Sequence, residues 1–391
     1  MPSNLLQRAW FGGRLTLREL LRPKTPVAIP LRARREAALD WLCRAQDVNG
    51  DGGVAAGFHL LDGWLPSYPE TTGYIAVTFF EQAARDRRPD LARRAWRMID
   101  WLLTRRRDDG AFPGLFGGRS RRPIVFNTGQ ILLGLTRALR EAPGRDDVRQ
   151  AAIRAARWLT DTQDEDGCWR RHTHGGVPHV YNTRSAWALA QLAERSDEPR
   201  FRQAARANLD WSLDQQDADG YFAHAGFSRH EPPFLHTIAY TIEGLLGLSR
   251  VLDCPRALEA AARAARPLAE RCFRGALVGA YGEGWQEAAA YRCLTGEAQL
   301  AGAFADLHSL TGDSRWREAC VCATHHVAAA QKLGGPPEFC GALAGSAPIW
   351  GRYARYEFPN WAAKFLVDAL SAAEEILAQA DGAQRGALPC V

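Results

Sequence analysis

Apolar positions recur every three to four residues through most of the chain, in helical segments of two alternating kinds. One kind, as in RQAAIRAARWLTDTQ (149–163), keeps Arg and Asp on one face, which suits an outer ring in contact with solvent. The other, as in AWALAQLA (186–193), TIAYTIEGLLGL (237–248) and NWAAKFLVDAL (360–370), is apolar nearly all round with small residues. That pattern suits a buried inner ring. A helix ending near Gln46 pairs with 70–85, 90–106 with 127–141, and 146–163 with 182–195. Three more pairs follow: 197–216 with 236–252, 255–272 with 295–310, and 313–331 with 360–377. No alternating strand pattern competes, so the expected fold is all-α, a single (α/α)6 toroid of six helical hairpins.

The repeat is also written in individual residues. A Trp is followed five positions later by Gln and nine positions later by Gly at Trp41/Gln46/Gly50, Trp158/Gln163/Gly167 and Trp211/Gln216/Gly220. Trp101/Gly110 fits with Arg106 in the Gln position. A second anchor opens the inner helices at Thr72, Thr128, Thr183, Thr237 and Thr295, spaced 56, 55, 54 and 58 residues apart, about one αα-hairpin each. Each hairpin needs neighbours to bury its apolar face, so the repeat argues against dividing residues 31–378 into domains. Residues 1–30 form an expected N-terminal arm and 379–391 a tail. The arm alternates Leu, Trp and Phe with Arg8, Arg14, Arg18 and Arg22. Docking of the arm across the toroid is the favoured reading, and contact with a membrane surface the other.

Connections from outer to inner helices are long and carry His, Trp, Tyr, Asn and Arg; the return connections are short. Long loops on a rigid scaffold collect ligand chemistry, so the site is expected at the mouth where the inner helices begin. A net charge of +5 with no basic block gives no reason to expect nucleic-acid binding. Nine irregularly spaced cysteines suit a reducing cytosol better than a disulfide framework. With no apolar run near the ~20 residues of a membrane span and nothing like a secretory signal, the expected location is cytoplasmic, with the arm as a peripheral contact at the inner membrane.

The Gln…Asp-Gly-aromatic segments QDEDGCW, QQDADGYF, RRRDDGAF and QDVNGDGG resemble the QW motifs of the squalene-cyclase and protein-prenyltransferase superfamily. Their expected role is structural: Gln bridges helix ends and Gly permits the turn. More specifically, SYPETTGYI, FNTGQILLGL, YNTRSAWAL, FLHTIAYTIEGLL and PNWAAKF look like the VpsJ-type proteins of bacterial exopolysaccharide gene clusters. That resemblance spans residues 31 to about 377. It implies a part in making or modifying a surface polysaccharide, with a saccharide as substrate and glycosyltransferases as candidate associates, and fixes no reaction.

The chain lacks the DxDD acid of terpene cyclases and the Asp and Cys pair that a prenyltransferase zinc site needs, so isoprenoid chemistry stands as an alternative only. The inner-helix starts offer Glu70, His236, Tyr240 and Glu297 as candidate catalytic groups. Tyr74, Asn127, Gln130, Tyr181 and Asn182 are candidate substrate-binding groups, as are Arg184, Glu243, Asn360, Trp361 and Lys364. Hydrogen-bonding groups among aromatic rings suit a sugar. Arg184 or Lys364 is suited to a uronate carboxylate, beside which Tyr240 or His236 would abstract the α proton in epimerisation or elimination. Glu70 and Glu297 flanking a bond would instead mean glycoside hydrolysis. The third reading is a non-catalytic scaffold for a glycan assembly complex.

Blander readings compete at several positions. His236 and Tyr240, one turn apart, suit a hydrogen-bonded core pair, and Asn127, Asn182 and Asn360 suit helix N-caps. Glu243 on an apolar helix is harder to dismiss, because a buried carboxylate needs a partner. No cofactor or metal is expected. His172, His174 and His179 read as free loop histidines. Cys320, Cys322, His325 and His326 share an outer helix, where only Cys322 and His326 face the same way, and two ligands do not make a zinc site. Asp47–Gly52 copies half of a calcium loop, but position twelve is Phe58.

Overall fold

The computed structural model describes residues 29–114 and 122–386, together with Gly13. The expected arm lies outside the described residues except for Gly13, Ile29 and Pro30. Among the described residues twelve α-helices of a full turn or more alternate between two rings. The outer ring consists of α1 (Leu31–Asp47), α3 (Pro89–Leu103), α5 (Asp146–Thr162), α7 (Pro199–Leu213), α9 (Pro255–Phe273) and α11 (Ser314–Ala328). The inner ring consists of α2 (Pro69–Asp86), α4 (Val125–Glu141), α6 (Thr183–Ala193), α8 (Leu235–Leu252), α10 (Leu294–Thr311) and α12 (Asn360–Gly386). Each inner helix packs on the next, and α12 packs on both α1 and α2, which closes the (α/α)6 toroid. The last helix runs past the expected end of the toroid at residue 378.

Local chemistry sets the starts. Proline is the first residue of α2, α3, α7 and α9, where its fixed φ suits a helix and its missing N–H costs nothing. Asp313 caps α11, accepting a hydrogen bond from the Arg315 backbone N–H at 2.9 Å. The asparagines do not cap. Asn182 makes no side-chain capping bond. Asn360 spends its amide on the Ala55 carbonyl and the Thr71 hydroxyl, both at 2.8 Å, so it ties the last inner helix to the first hairpin. Asn127 donates to the Tyr68 hydroxyl at 3.1 Å.

The repeated glutamines are staples between successive outer helices. Gln163 donates to the Gly167 carbonyl of its own turn at 2.8 Å and to Ala204 of α7 at 2.9 Å. Gln216 does the same to Gly220 and to Ala260 of α9, and Gln46 to Gly52 and to Arg94 of α3. The first repeat therefore uses Gly52 rather than Gly50. Gln331 reaches Gly341 and the Arg34 carbonyl of α1, closing the ring with the same device. Gly167 has φ +84°, and a Cβ there would lie 2.3 Å from the Ala207 carbonyl oxygen, so the turn admits no side chain. On the inner ring the helices approach just as closely: a Cβ at Gly134 would lie 2.3 Å from the carbonyl oxygen of Gly73.

The loops contain small sheets that the sequence pattern did not reveal. In the first loop β1 (Gly57–His59) pairs with β2 (Gly63–Trp64) and, across the closing seam, with β5 (Glu357–Pro359) ahead of α12. In the fifth and sixth loops β3 (Arg292–Cys293) pairs with β4 (Ser346–Ala347). Among the described residues no helix is long and apolar enough to cross a membrane.

Candidate functional site

Starting from α2, the residues Glu70, Tyr74, Thr78 and Glu81 descend the axis at helical spacing. At the top, Tyr68 donates its hydroxyl to the Glu70 carboxyl at 2.6 Å. Burial pushes Glu70 up to about 7, against the opposing pull of the Tyr68 hydroxyl and the Arg184 charge. Tyr68 and Trp361 are half-buried and meet edge to face, and the Trp361 indole donates to the Tyr353 hydroxyl at 2.8 Å. Beneath them lies a continuous set of rings. Phe126 packs against Tyr181 and Tyr240, with centroids 5.1 and 4.9 Å away, and His236 lies 4.2 Å from Tyr240 and 5.2 Å from Tyr353.

One polar chain crosses this aromatic layer. Arg184 pairs with Glu243 at 2.5 Å and donates through Nε to Gln130 at 2.8 Å. Gln299 donates to Glu243 at 3.2 Å and meets His236 Nδ1 at 2.5 Å through its carbonyl oxygen, so Nδ1 carries the proton. Burial pushes His236 down to about 3, which keeps the ring neutral. Burial raises Glu243, while Arg184 and Lys364 hold its charge. The Tyr240 and Tyr74 hydroxyls meet at 3.4 Å, and the Arg184 guanidinium lies 4.9 Å from the Tyr240 ring.

Below the aromatic layer a cavity of about 930 Å³ extends to the other end of the axis. Tyr74, Arg184, Glu243 and Lys364 belong to its inner part, and the exposed Arg140, Arg250, Ser309 and Glu375 mark its rim where the inner helices finish. Lys364 pairs with Asp368 at 2.5 Å, and Thr78 donates to the same carboxylate at 2.9 Å. Charged groups of both signs line the walls beside Tyr74, Trp187 and Phe365.

The structure thus gathers most of the expected residues around one axis, but in two layers. Tyr74, Arg184, Glu243 and Lys364 reach the cavity, whereas Glu70, Asn127, Gln130, Tyr181, Asn182, His236, Tyr240, Asn360 and Trp361 lie at or above the aromatic layer. Glu297 is not brought to the axis. It is fully buried and pairs through both oxygens with Arg292, and its charge bears on Cys272 of α9. The next two residues, Ala298 and Gln299, face the cavity, and the 100° step between helix positions turns Glu297 toward the outer ring. Glu70 and Glu297 therefore do not flank a common bond. Nor is His179 free: it is buried, stacks on Tyr181 at 4.5 Å, and meets the Gly226 and His174 carbonyls.

Sequence reasoning missed Tyr68, Tyr353 and Asp368. Tyr68 ends a loop just before Pro69, and Asp368 lies four residues after Lys364, so both were within reach of spacing. Tyr353 comes from the connection that leads into α12, where no repeat motif marks it.

A family model described as the squalene-hopene cyclase C-terminal domain is similar to residues 69–244, somewhat under half of the chain. No curated protein matches the chain. Among solved structures, an unsaturated glucuronyl hydrolase specific for heparin superposes with a TM-score of 0.69 at 15% identity, covering 89% of this chain and 98% of its own. The unsaturated glucuronyl hydrolase of Bacillus sp. GL1 gives 0.69 at 16%, covering 87% and 96%. Cellobiose 2-epimerase from Bacillus thermoamylovorans gives 0.68 at 12%, covering 87% and 98%. At these identities the likeness is one of fold.

Proposed function

We propose that the protein is a saccharide-acting enzyme in the biosynthesis of a surface polysaccharide. Glu70 is the proton-transferring group, and the saccharide lies at the mouth where the inner helices begin. The observation that carries this reading is the Glu70 carboxyl, poised near neutrality and held at 2.6 Å by the hydroxyl of Tyr68, whose ring meets the half-buried Trp361 edge to face. A carboxyl titrating near the working pH serves equally to protonate a leaving oxygen or to exchange a carbon-bound proton. Trp361 offers a stacking face for a sugar ring, and Asn127 fixes the Tyr68 hydroxyl. Arg184, Glu243 and Gln299 act from below as positioning groups. The superposed toroids named as glucuronyl hydrolases and an epimerase lend this reading support by fold-level analogy.

The cavity favours a second entrance. A glycan entering from the end where the inner helices finish would meet Tyr74, Arg184, Glu243 and Lys364 directly. Its charged walls suit a hydrated polar ligand rather than an isoprenoid chain, which would need a dry aromatic lining. Contact of the arm with a membrane and association with glycosyltransferases extend the proposal to cellular context.

The test is a panel of uronate-containing and neutral oligosaccharides incubated with the full chain in D2O and, separately, in H2¹⁸O. Deuterium entering a sugar carbon identifies an epimerase, a new carbon–carbon double bond at a non-reducing end identifies a lyase, and ¹⁸O at a new reducing end identifies a hydrolase. If no oligosaccharide binds or reacts, and deletion of the gene leaves the surface polysaccharide unchanged, the proposal fails.

A further inference from the structure

Away from the axis, two outer helices bring together three soft ligand atoms. Cys272 on α9 meets Cys322 and His326 on α11, and one ligand atom from each lies within 4.8 Å of the others. Cys272 Sγ is 4.0 Å from His326 Nδ1, and Cys322 Sγ is 3.9 Å from His326 Nε2. The Cys322 thiol also points at the Cys272 backbone carbonyl at 3.6 Å. Cys272 is buried, while Cys322 and His326 are half-buried, so solvent reaches one side of the cluster.

The position of Cys272 in the repeat gives the cluster a meaning. Gln163, Gln216 and Gln331 lie seventeen residues after the first residues of their helices, Asp146, Pro199 and Ser314. Cys272 lies seventeen residues after Pro255, in the same position. Four of the other five repeats staple one outer helix to the next through a glutamine amide, at Gln46, Gln163, Gln216 and Gln331, whereas this one presents a thiol to the next outer helix, and that helix presents a thiol and an imidazole back.

We propose that Cys272, Cys322 and His326 bind a divalent ion of the zinc class, which staples α9 to α11 in place of the missing glutamine. Two sulfurs and a nitrogen form a soft donor set that suits zinc and disfavours magnesium or calcium. Ligands of a tetrahedral zinc ion with Zn–S of about 2.3 Å and Zn–N of about 2.0 Å lie roughly 3.5–3.8 Å apart, so the ligand atoms, within 4.8 Å of one another, close on the ion by moving together by up to about 1 Å with one imidazole nitrogen turned to it. The fourth position falls to solvent on the half-buried side. The two thiols release their protons to solvent on binding. The site stands apart from Glu70 and is independent of the proposed activity.

The experiment is titration of the reduced full chain with Co²⁺, then displacement by Zn²⁺. One Co²⁺ per chain is expected, with thiolate-to-cobalt charge-transfer absorption that Zn²⁺ abolishes. Cys322→Ser and His326→Ala, checked for native helicity by circular dichroism, are expected to lose the band. Zn²⁺ at about a hundredfold excess over Kd should raise the melting temperature of the unaltered chain by roughly 3–5 °C and leave both variants unmoved. Absence of a stoichiometric thiolate band in the unaltered chain, or a band of full strength in Cys322→Ser, would overturn the assignment.

Discussion

The two ends of the toroid axis are built on opposite plans. Where the inner helices begin, described side chains close over the axis: rings from four inner helices and a late loop pack in tilted and edge-to-face pairs, and among them Glu70 is hydrogen-bonded to Tyr68, and Arg184, Glu243, Gln299 and His236 to one another in a chain. Where the inner helices finish, the same helices stand apart around a wide, charged cavity. The difference follows from sequence. Tyr, Phe, His and Asn cluster in the first turns of the inner helices, whereas the later turns place Arg, Asp and Glu beside glycines such as Gly247 and Gly302. One end is suited to hold a proton at a chosen pH, the other to admit a large hydrated ligand, and Arg184 with Glu243 joins them.

The largest expected effect separates the two ends directly. Glu70→Gln should reduce turnover on the responsive saccharide by roughly 10²–10⁴-fold and remove the limb of the pH–rate profile near 7. Retained turnover would move the chemistry below the aromatic layer, to Glu243. Next in size is Arg184→Ala, which strands the Glu243 carboxylate in a buried setting. A loss of about 3–5 kcal/mol in denaturant unfolding is expected, with partial recovery in Arg184→Ala/Glu243→Gln. If the single variant is as stable as the unaltered chain, the joint between the ends is not a buried ion pair.

The third prediction is a pH dependence of stability. The folded Glu70 titrates near 7 rather than 4.5, so between those values the folded state holds a proton that the unfolded chain has released. Stability contributed by this group is present below 4.5 and lost as pH rises toward 7, by up to about 3 kcal/mol. Unfolding curves of the unaltered chain and Glu70→Gln should diverge across that window, with the variant gaining relative stability at higher pH. Parallel curves would place the carboxyl in contact with bulk water. The smallest effect belongs to the rim: Arg140→Ala and Ser309→Ala should change KM by less than about threefold if the saccharide sits at the other end. A larger rise in KM, with kcat unchanged, would favour entry through the cavity.

The fold was readable because the repeat states it many times over. Two helix types, the Trp–Gln–Gly spacing and the Thr anchors all point to one architecture, and the helix bounds fall within a few residues of the expected ones except at the end of α12, which runs to Gly386 rather than 377. The axial residues were readable as a group, since inner-helix starts must converge in a toroid. What spacing could not supply was side-chain direction. Glu297 misses the axis by a single helical step, and Asn127 and Asn360, which look like caps, are used across the ring. Cys272 was legible only as an irregular cysteine. Its meaning appears when its place in the repeat is set against the neighbouring helix, which brings it beside residues 50 and 54 positions away.

The closing contacts have a consequence for how the chain is made. Asn360 and Gln331 complete hydrogen bonds to the first hairpin, and β5 completes a strand pair begun at β1. A ribosome releases α1 and α2 long before any of these partners exists. The first hairpin therefore waits with its flank uncovered while some 250 residues follow, a window in which chaperone binding or a stall in synthesis would decide the yield of native protein.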